Sequence, residues 1–158
     1  MFKVGIIGAG WIAEKMAEAL APLEDYCVYA IASRSIGKAT EFAGRWNIPK
    51  AYGSYEDMVK DNDVDLVYIA TPHSHHFPHA MLALNAGKPV LVEKAFTANA
   101  AEAEELIETA RSKGLFITEA IWTRYMPLSH KVKEIMESGI IGKPRVITAT
   151  LCYMMEFK

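Results

Sequence analysis

Cysteine is scarce in this sequence, and long apolar runs and blocks of like charge are missing. The 158 residues include two cysteines, Cys27 and Cys152, too few for a disulfide framework and not arranged as a CxxC pair. No apolar stretch approaches the roughly 20 residues that span a bilayer. The formal charge of −2, without a basic tail, argues against electrostatic binding to nucleic acid or to an anionic membrane.

The N-terminus also lacks a signal-peptide pattern, because a short strand pattern begins at residue 2. We therefore expect a cytoplasmic protein that binds neither nucleic acid nor membrane. With 51% hydrophobic and 23% charged residues, the composition is typical of a globular domain.

Short apolar runs alternate with helical patterns along most of the chain. Strands are predicted at 2–8, 27–32, 65–70, 89–94 and 115–120, and helices at 12–20, 36–46, 54–61, 76–86, 100–113 and 128–138. This alternation indicates βαβ units. We therefore predict an α/β fold, a doubly wound parallel sheet of the Rossmann type with helices on both faces.

A glycine-rich turn follows the first predicted strand and opens the first helix. The stretch GIIGAGWIA places Gly8 at the turn, Gly10 where the backbone can approach a phosphate, and Ala13 where helix and strand pack closely. The alternative is a tight turn that binds nothing. The surrounding βαβ pattern favours a dinucleotide site, with Gly8, Gly10, Trp11 and Ile12 as cofactor-binding residues.

The end of the second strand carries no acidic residue to bind a ribose 2′-hydroxyl. Ser33 and Arg34 stand there instead, with Lys38 one helical turn further on. An arginine can pair with a 2′-phosphate through its planar guanidinium group. The sequence therefore favours NADP as the cofactor, with NAD as the alternative.

Three later segments end strands on the same side of the predicted sheet: ATPHSHH, VEKAF and TEAIWTR. In doubly wound sheets the ligand lies at these carboxyl ends. Glu93 and Lys94 place two charges there. They could form a structural ion pair, but we expect Lys94 to hydrogen-bond the reacting oxygen of a substrate during hydride transfer.

Four of the five histidines lie within TPHSHHFPHA, residues 71–80. Zinc needs three or four converging ligands, and a loop followed by a helix does not bring these histidines together. We therefore predict no metal site. We expect His73 and His76 to line the cofactor or substrate pocket, His75 to face solvent and His79 to lie on the helix surface.

Together these motifs resemble the N-terminal domain of the glucose–fructose oxidoreductase / inositol dehydrogenase / rhizopine-catabolism (Gfo/Idh/MocA) family of NAD(P)-dependent oxidoreductases. The resemblance rests on GIIGAGWIA, ATPHSHH, AGKPVLVEKA and GIIGKPRVI and covers essentially the whole chain. The segments EAIWTRYMP and ASR are most similar to the branch with dimeric dihydrodiol dehydrogenase and NADP-dependent D-xylose dehydrogenase.

The resemblance implies roles for individual residues. Lys94 corresponds to the catalytic lysine of the family's Glu-Lys-Pro motif, and Ala95 replaces its proline. His73 stands where the family often has asparagine, whereas His76 matches its usual histidine. The further cofactor-site residues implied by the resemblance are Thr71, Pro72, His73, His76, Glu93, Trp122 and Arg124.

The resemblance also implies a division of the chain. Residues 1–143 would form the dinucleotide-binding domain, and residues 144–158 would begin the first strand of a C-terminal α/β substrate and dimerisation domain that this chain otherwise lacks. Such a protein would be a homo-oligomer that oxidises a sugar, polyol or cyclic diol with NADP. The alternative is a nucleotide-binding module or redox sensor without catalysis.

Overall fold

A computed structural model describes residues 1–150 and residue 152. The strands are β1 (Phe2–Ile7), β2 (Tyr26–Ala32), β3 (Lys50–Tyr52), β4 (Leu66–Ile69), β5 (Val90–Val92) and β6 (Ile117–Glu119). The helices are α1 (Trp11–Leu20), α2 (Ile36–Trp46), α3 (Tyr55–Val59), α4 (His76–Asn85), α5 (Ala100–Ser112) and α6 (Pro127–Glu137).

The strands form one parallel sheet in the order β3-β2-β1-β4-β5-β6. This is the order of a Rossmann fold, so the predicted fold class is confirmed. The chain reverses its direction of travel across the sheet between β1 and β4, which creates a crevice at their carboxyl ends. The strand β3 was not predicted; it has three residues and, among the described strands, pairs only with β2.

Helices cover both faces of the sheet because the central strands β1, β2 and β4 bury side chains on both sides. On one face the buried residues of α3, α4 and α5, including Met58, Leu84 and Leu106, pack with Val67 and Val90. A second cluster fills the other face between the sheet and α1 and α2. Burial on both faces fixes the sheet as a central layer, so its strand ends form a rigid base for a site.

The chain divides into two compact units, Met1–Ile121 and Trp122–Lys158. The second unit contains a 3-10 turn at Trp122–Tyr125 and α6. The domain boundary predicted between residues 143 and 144 stays a prediction. None of the described helices is both long enough and apolar enough to cross a membrane.

The strand predicted over 144–157 is absent from the part of it that the structure describes. Residues 144–150 have no regular secondary structure, and the remainder, apart from Cys152, lies outside the described residues. A strand forms only against a neighbouring strand, and none of the described residues pairs with this segment.

Candidate functional site

The glycine loop lies at the carboxyl end of β1 and contacts the ends of two other strands. Gly8 donates its N–H to the carbonyl oxygen of Ala32 at 2.9 Å. Its φ of +104° is one that side chains rarely allow, and a Cβ there would lie 2.8 Å from the carbonyl oxygen of Ala70. Glycine is therefore required at this position by the fold itself.

Gly10 is different, because a Cβ at this position would meet no protein atom within 4 Å. Gly10 caps the N-terminus of α1 without any side-chain hydrogen bond to the cap, so N–H groups of the first turn remain to bind an anion. Ala13 is fully buried and lets α1 approach the sheet closely. The space at Gly10 and the helix end together fit the pyrophosphate of a dinucleotide.

The two residues after Gly10 have different surroundings. Trp11 is 69% exposed, and the Lys15 amine lies 5.8 Å from the centre of its ring. Ile12 is half-buried and packs against the core between the sheet and α1. Trp11 can thus contact a bound molecule, whereas Ile12 also supports the helix.

The end of β2 presents one buried polar residue and two exposed cations. Ser33 is buried, and its Oγ accepts the N–H of Ser35 at 3.4 Å. Arg34 and Lys38 are exposed, and neither forms an ion pair with any carboxylate of the described residues. Two unpaired positive charges at the start of α2 fit a phosphate on the adenosine ribose.

Thr71, at the end of β4, is held by two histidines from the first turn of α4. The Thr71 carbonyl oxygen lies 2.9 Å from His76 Nε2, and the Thr71 Oγ1 lies 3.0 Å from His79 Nδ1. Pro72 and His73 are exposed beside it, where they can contact a ligand. The end of β4 is therefore fixed by side chains and not by the sheet alone.

The prediction that His79 lies on the helix surface is wrong. His79 is half-buried, with Tyr55 edge-on at 4.7 Å and His75 stacked at 5.6 Å between ring centres. Burial, followed by the charge of His75, lowers the pKa of His79 to about 4, and the positive charge of Arg34 acts in the same direction. His79 is therefore a neutral imidazole near pH 7.

His76 is fully buried, and both of its ring nitrogens lie within hydrogen-bond distance of backbone carbonyl oxygens, to one of which a neutral imidazole can donate. Besides the bond to Thr71, its Nδ1 lies 2.7 Å from the carbonyl oxygen of Ala95. His76 thus joins the end of β4 to the turn after β5. Its predicted contact with the cofactor stays a prediction, since both nitrogens are already engaged within the protein.

Glu93 is not an ion-pair partner of Lys94. Glu93 is 9% exposed; its Oε1 accepts the hydroxyl of Tyr68 at 2.6 Å, and its Oε2 accepts the backbone N–H of Lys94 at 3.1 Å. Burial and the hydrogen bond to Glu93 raise the pKa of the Tyr68 hydroxyl, so the hydroxyl stays protonated and donates. The predicted role of Glu93 toward the cofactor stays a prediction, because its carboxylate already has these two partners.

Lys94 follows directly and is exposed at the carboxyl end of β5. The peptide bond that joins it to Ala95 is cis. Within the described part of the chain, the Lys94 amine takes part in no hydrogen bond or ion pair of its own. The amine is therefore available to a bound molecule.

Glu119 was not among the predicted site residues, yet it contacts the turn after β5. Glu119, the last residue of β6, accepts the backbone N–H of Phe96 through Oε1 at 2.9 Å. The available signal was the position of Glu119 at a strand end in TEAIWTR, the segment expected near the nicotinamide. Nothing in the sequence indicated that its partner would be the backbone of the neighbouring turn.

The model of the Gfo/Idh/MocA family, an oxidoreductase family with an NAD-binding Rossmann fold, matches residues 2–120. That range contains the glycine loop, the end of β2, the histidine segment and Lys94. The chain belongs to the Gfo/Idh/MocA family.

Individual members of the Gfo/Idh/MocA family show the same relationship. The chain is 49% identical over 152 residues to D-xylose 1-dehydrogenase (NADP(+)) of Hypocrea jecorina, covering 89% of this chain and 39% of that protein. It is 46% identical over 147 residues to trans-1,2-dihydrobenzene-1,2-diol dehydrogenase of Mus musculus, covering 92% and 44%. These two enzymes confirm the predicted branch of the family.

A solved structure has the same fold. The 3-ketoreductase KijD10 from Actinomadura kijaniata, in complex with NADP, superposes with a TM-score of 0.81 at 34% identity, over 89% of this chain and 45% of that one. The chain thus spans less than half the length of these relatives.

Two of the residues expected from the Gfo/Idh/MocA resemblance, Trp122 and Arg124, belong to the second unit. Both are exposed in the 3-10 turn at Trp122–Tyr125. Their predicted place beside cofactor and substrate stays a prediction. The described residues contain no group of three His, Cys, Asp or Glu side chains able to hold a metal ion.

Proposed function

We propose that the protein is an NADP-dependent oxidoreductase that transfers hydride between NADP and a CH–OH or C=O carbon of a sugar, polyol or cyclic diol. The observation that carries this proposal is the Lys94 amine at the carboxyl end of β5. It is exposed, while the adjacent carboxylate of Glu93 is occupied by Tyr68 and the backbone. An amine in this state can bind a substrate oxygen.

The residues proposed to bind the cofactor match the charged groups of NADP. The space at Gly10 and the N-terminus of α1 would bind the pyrophosphate, and Arg34 with Lys38 would bind the 2′-phosphate. When bound, NADP supplies the nicotinamide carbon that accepts or donates hydride. Thr71, Pro72 and His73 stand at the neighbouring strand end.

Lys94 would act on the substrate oxygen. In the oxidation, the C–H electron pair leaves as hydride, the O–H bond gives up its proton, and the carbonyl bond forms. Lys94 Nζ, as the neutral amine, is the atom proposed to hold that oxygen and to accept this proton, becoming an ammonium that returns the proton in the reduction. In the reduction the same hydrogen bond would orient and polarise the carbonyl oxygen.

The substrate class is supported by the names of two relatives, which denote dehydrogenation of a sugar and of a cyclic diol, the former with NADP(+). Both relatives are at least 46% identical to this chain over the aligned residues. We propose the same class of hydroxylated substrate for the protein that contains this chain.

Lys94→Ala in the complete gene product tests the proposal. We expect kcat with a sugar or diol substrate to fall by roughly 10²–10⁴-fold, the usual contribution of one proton-transferring group. The dissociation constant for NADPH should stay within about threefold, because the lysine is assigned to the substrate oxygen. Lys113→Ala, an exposed lysine after α5, is the matched control and should retain full activity.

Two other outcomes would contradict either the role of Lys94 or the proposal that the protein is an enzyme. Undiminished turnover in Lys94→Ala would remove Lys94 from the reaction. If the unaltered protein binds NADPH but turns over no hydroxylated substrate, the protein is a nucleotide-binding module instead of an enzyme.

A further inference from the structure

The backbone that follows Lys94 is bound by a carboxylate from the next strand. Glu119 Oε1 accepts the N–H of Phe96 at 2.9 Å, across 23 residues of sequence. Glu119 is half-buried at the last position of β6, beside Val92 in the strand register. Hydrogen bonds from an N–H to a carboxylate are stronger than those between neutral groups, and partial burial strengthens them further.

Two other side chains bind the same turn at its preceding residues. Glu93 Oε2 accepts the N–H of Lys94, and His76 Nδ1 bonds the carbonyl oxygen of Ala95. Three consecutive residues are therefore held by side chains from three different parts of the fold. We call residues 94–96 the lysine turn.

The side chains that make these three contacts differ in the other hydrogen bonds that they form. Glu93 also receives the buried Tyr68 hydroxyl, and His76 also binds Thr71, so both connect the lysine turn to β4. The one side-chain hydrogen bond described for Glu119 is the one to Phe96. Glu119 is thus the contact whose loss would release the turn while leaving the rest of the site in place.

The position of this backbone matters because the Lys94 side chain itself is exposed and flexible. A lysine amine has a flexible four-carbon stem, so the region that the amine can reach is set by where its backbone is held, and a displacement of about 1 Å can cost about 10²-fold in rate. We propose that Glu119 is a positioning residue that holds the lysine turn so that the Lys94 amine meets the substrate oxygen. This inference rests on the proposed function of Lys94.

The test compares Glu119→Ala with Glu119→Gln in the complete gene product. Alanine removes the acceptor for the Phe96 N–H, whereas glutamine keeps an oxygen in nearly the same place. We expect Glu119→Ala to lower kcat about 10- to 100-fold with an unchanged KM for NADPH, and Glu119→Gln to stay within about threefold of the unaltered protein. Glu105→Ala, an exposed glutamate of α5, controls for loss of charge and should change nothing.

A second measurement follows the contact directly. Amide hydrogen exchange at Phe96 should be slow in the unaltered protein and in Glu119→Gln, and at least about tenfold faster in Glu119→Ala. If Glu119→Ala does not fold, Glu119→Asp replaces it, because its carboxylate is one methylene too short to reach Phe96.

The kinetic and hydrogen-exchange measurements distinguish failure of the proposed function from failure of the positioning role of Glu119. No turnover in the unaltered protein would contradict the proposed function, and exchange at Phe96 would still report on the contact. Unchanged kcat in a folded Glu119→Ala variant, or equal losses in the alanine and glutamine variants, would overturn the positioning role of Glu119.

Discussion

The two glycines of the cofactor loop illustrate how one motif combines two physical requirements. Gly8 is needed by the folded chain, because its φ of +104° and its contact with Ala70 exclude a side chain. Gly10 has ordinary extended dihedral angles and open space around it. The fold therefore does not require glycine at this position, and we propose that a ligand does.

Alanine substitutions at these positions should have different effects. Gly8→Ala should lower the free energy of unfolding by about 2 kcal/mol or more, through strain at positive φ and the clash with the Ala70 carbonyl. Gly10→Ala should change it by less than about 0.5 kcal/mol and should weaken NADPH binding at least about tenfold, because a methyl group fills the space assigned to the pyrophosphate. Urea unfolding and NADPH titration measure the two effects. Equal loss of stability in both variants would contradict this division.

The histidines show what could not be predicted at the residue scale. Spacing alone correctly placed His76 at the start of a helix, but its burial depends on the carbonyl oxygen of Ala95, 19 residues away. His79 was expected on the helix surface. Tyr55 and Thr71 enclose it, and neither contact is visible in a local pattern.

At the scale of elements, the connection from β2 to α2 is the segment that we propose distinguishes the two cofactors. Arg34→Ala should raise the dissociation constant for NADPH about 10- to 100-fold, the loss of a charge-assisted bidentate hydrogen bond of roughly 1.5–3 kcal/mol. The constant for NADH should change less than about threefold, because NADH has no 2′-phosphate. Arg111→Ala, an exposed arginine near the end of α5, is the control. Equal losses for the two nucleotides would contradict the assignment of Arg34.

Elements with a strong local signal were predicted, and elements without one were not. The helix predicted at 100–113 has such a signal: Asn99 Oδ1 accepts the N–H of Glu102 at 3.0 Å, and Glu102 Oε2 accepts that of Ala98 at 3.2 Å, so both side chains cap the start of α5. In contrast, β3 is three residues long and forms because β2 offers it an edge. A strand this short, stabilised by a partner distant in sequence, has too few residues to show a recognisable hydrophobic pattern.

At the scale of the whole molecule, alternating strands and helices were sufficient to predict the layers, and the glycine loop indicated where a ligand belongs. The same reasoning did not predict which side chains fix the strand ends, because those contacts join residues from separate βαβ units. Glu119 with Phe96 and His76 with Ala95 are such pairs. The layers of the fold could therefore be predicted from the periodicity of the sequence, whereas the contacts within the site could be found only from interatomic distances in the structure.

The stability of the whole molecule should decrease in two steps as the pH falls. The pKa of His79 is about 4 in the folded chain and 6.5 ordinarily, so between these values the unfolded chain binds more protons and stability is lost as the pH falls. Asp61 acts at lower pH: burial alone would raise its pKa, but hydrogen bonds from Lys50 and Tyr52 outweigh burial and lower it from 3.8 to about 2. Its contribution is therefore present above about pH 4 and is lost as the pH falls toward 2.

Urea unfolding between pH 7.5 and 4 isolates the first of these steps. His79→Gln keeps a neutral polar side chain beside Thr71 but cannot take up a proton, so its stability should fall less than that of the unaltered protein, by up to about 3 kcal/mol across this range. His130→Gln, an exposed histidine of α6, should follow the unaltered protein throughout. Parallel pH profiles for the unaltered protein and His79→Gln would contradict this prediction. They would show that the pKa of His79 is the same in the folded and unfolded chains, so that its burial against Tyr55 does not affect its protonation.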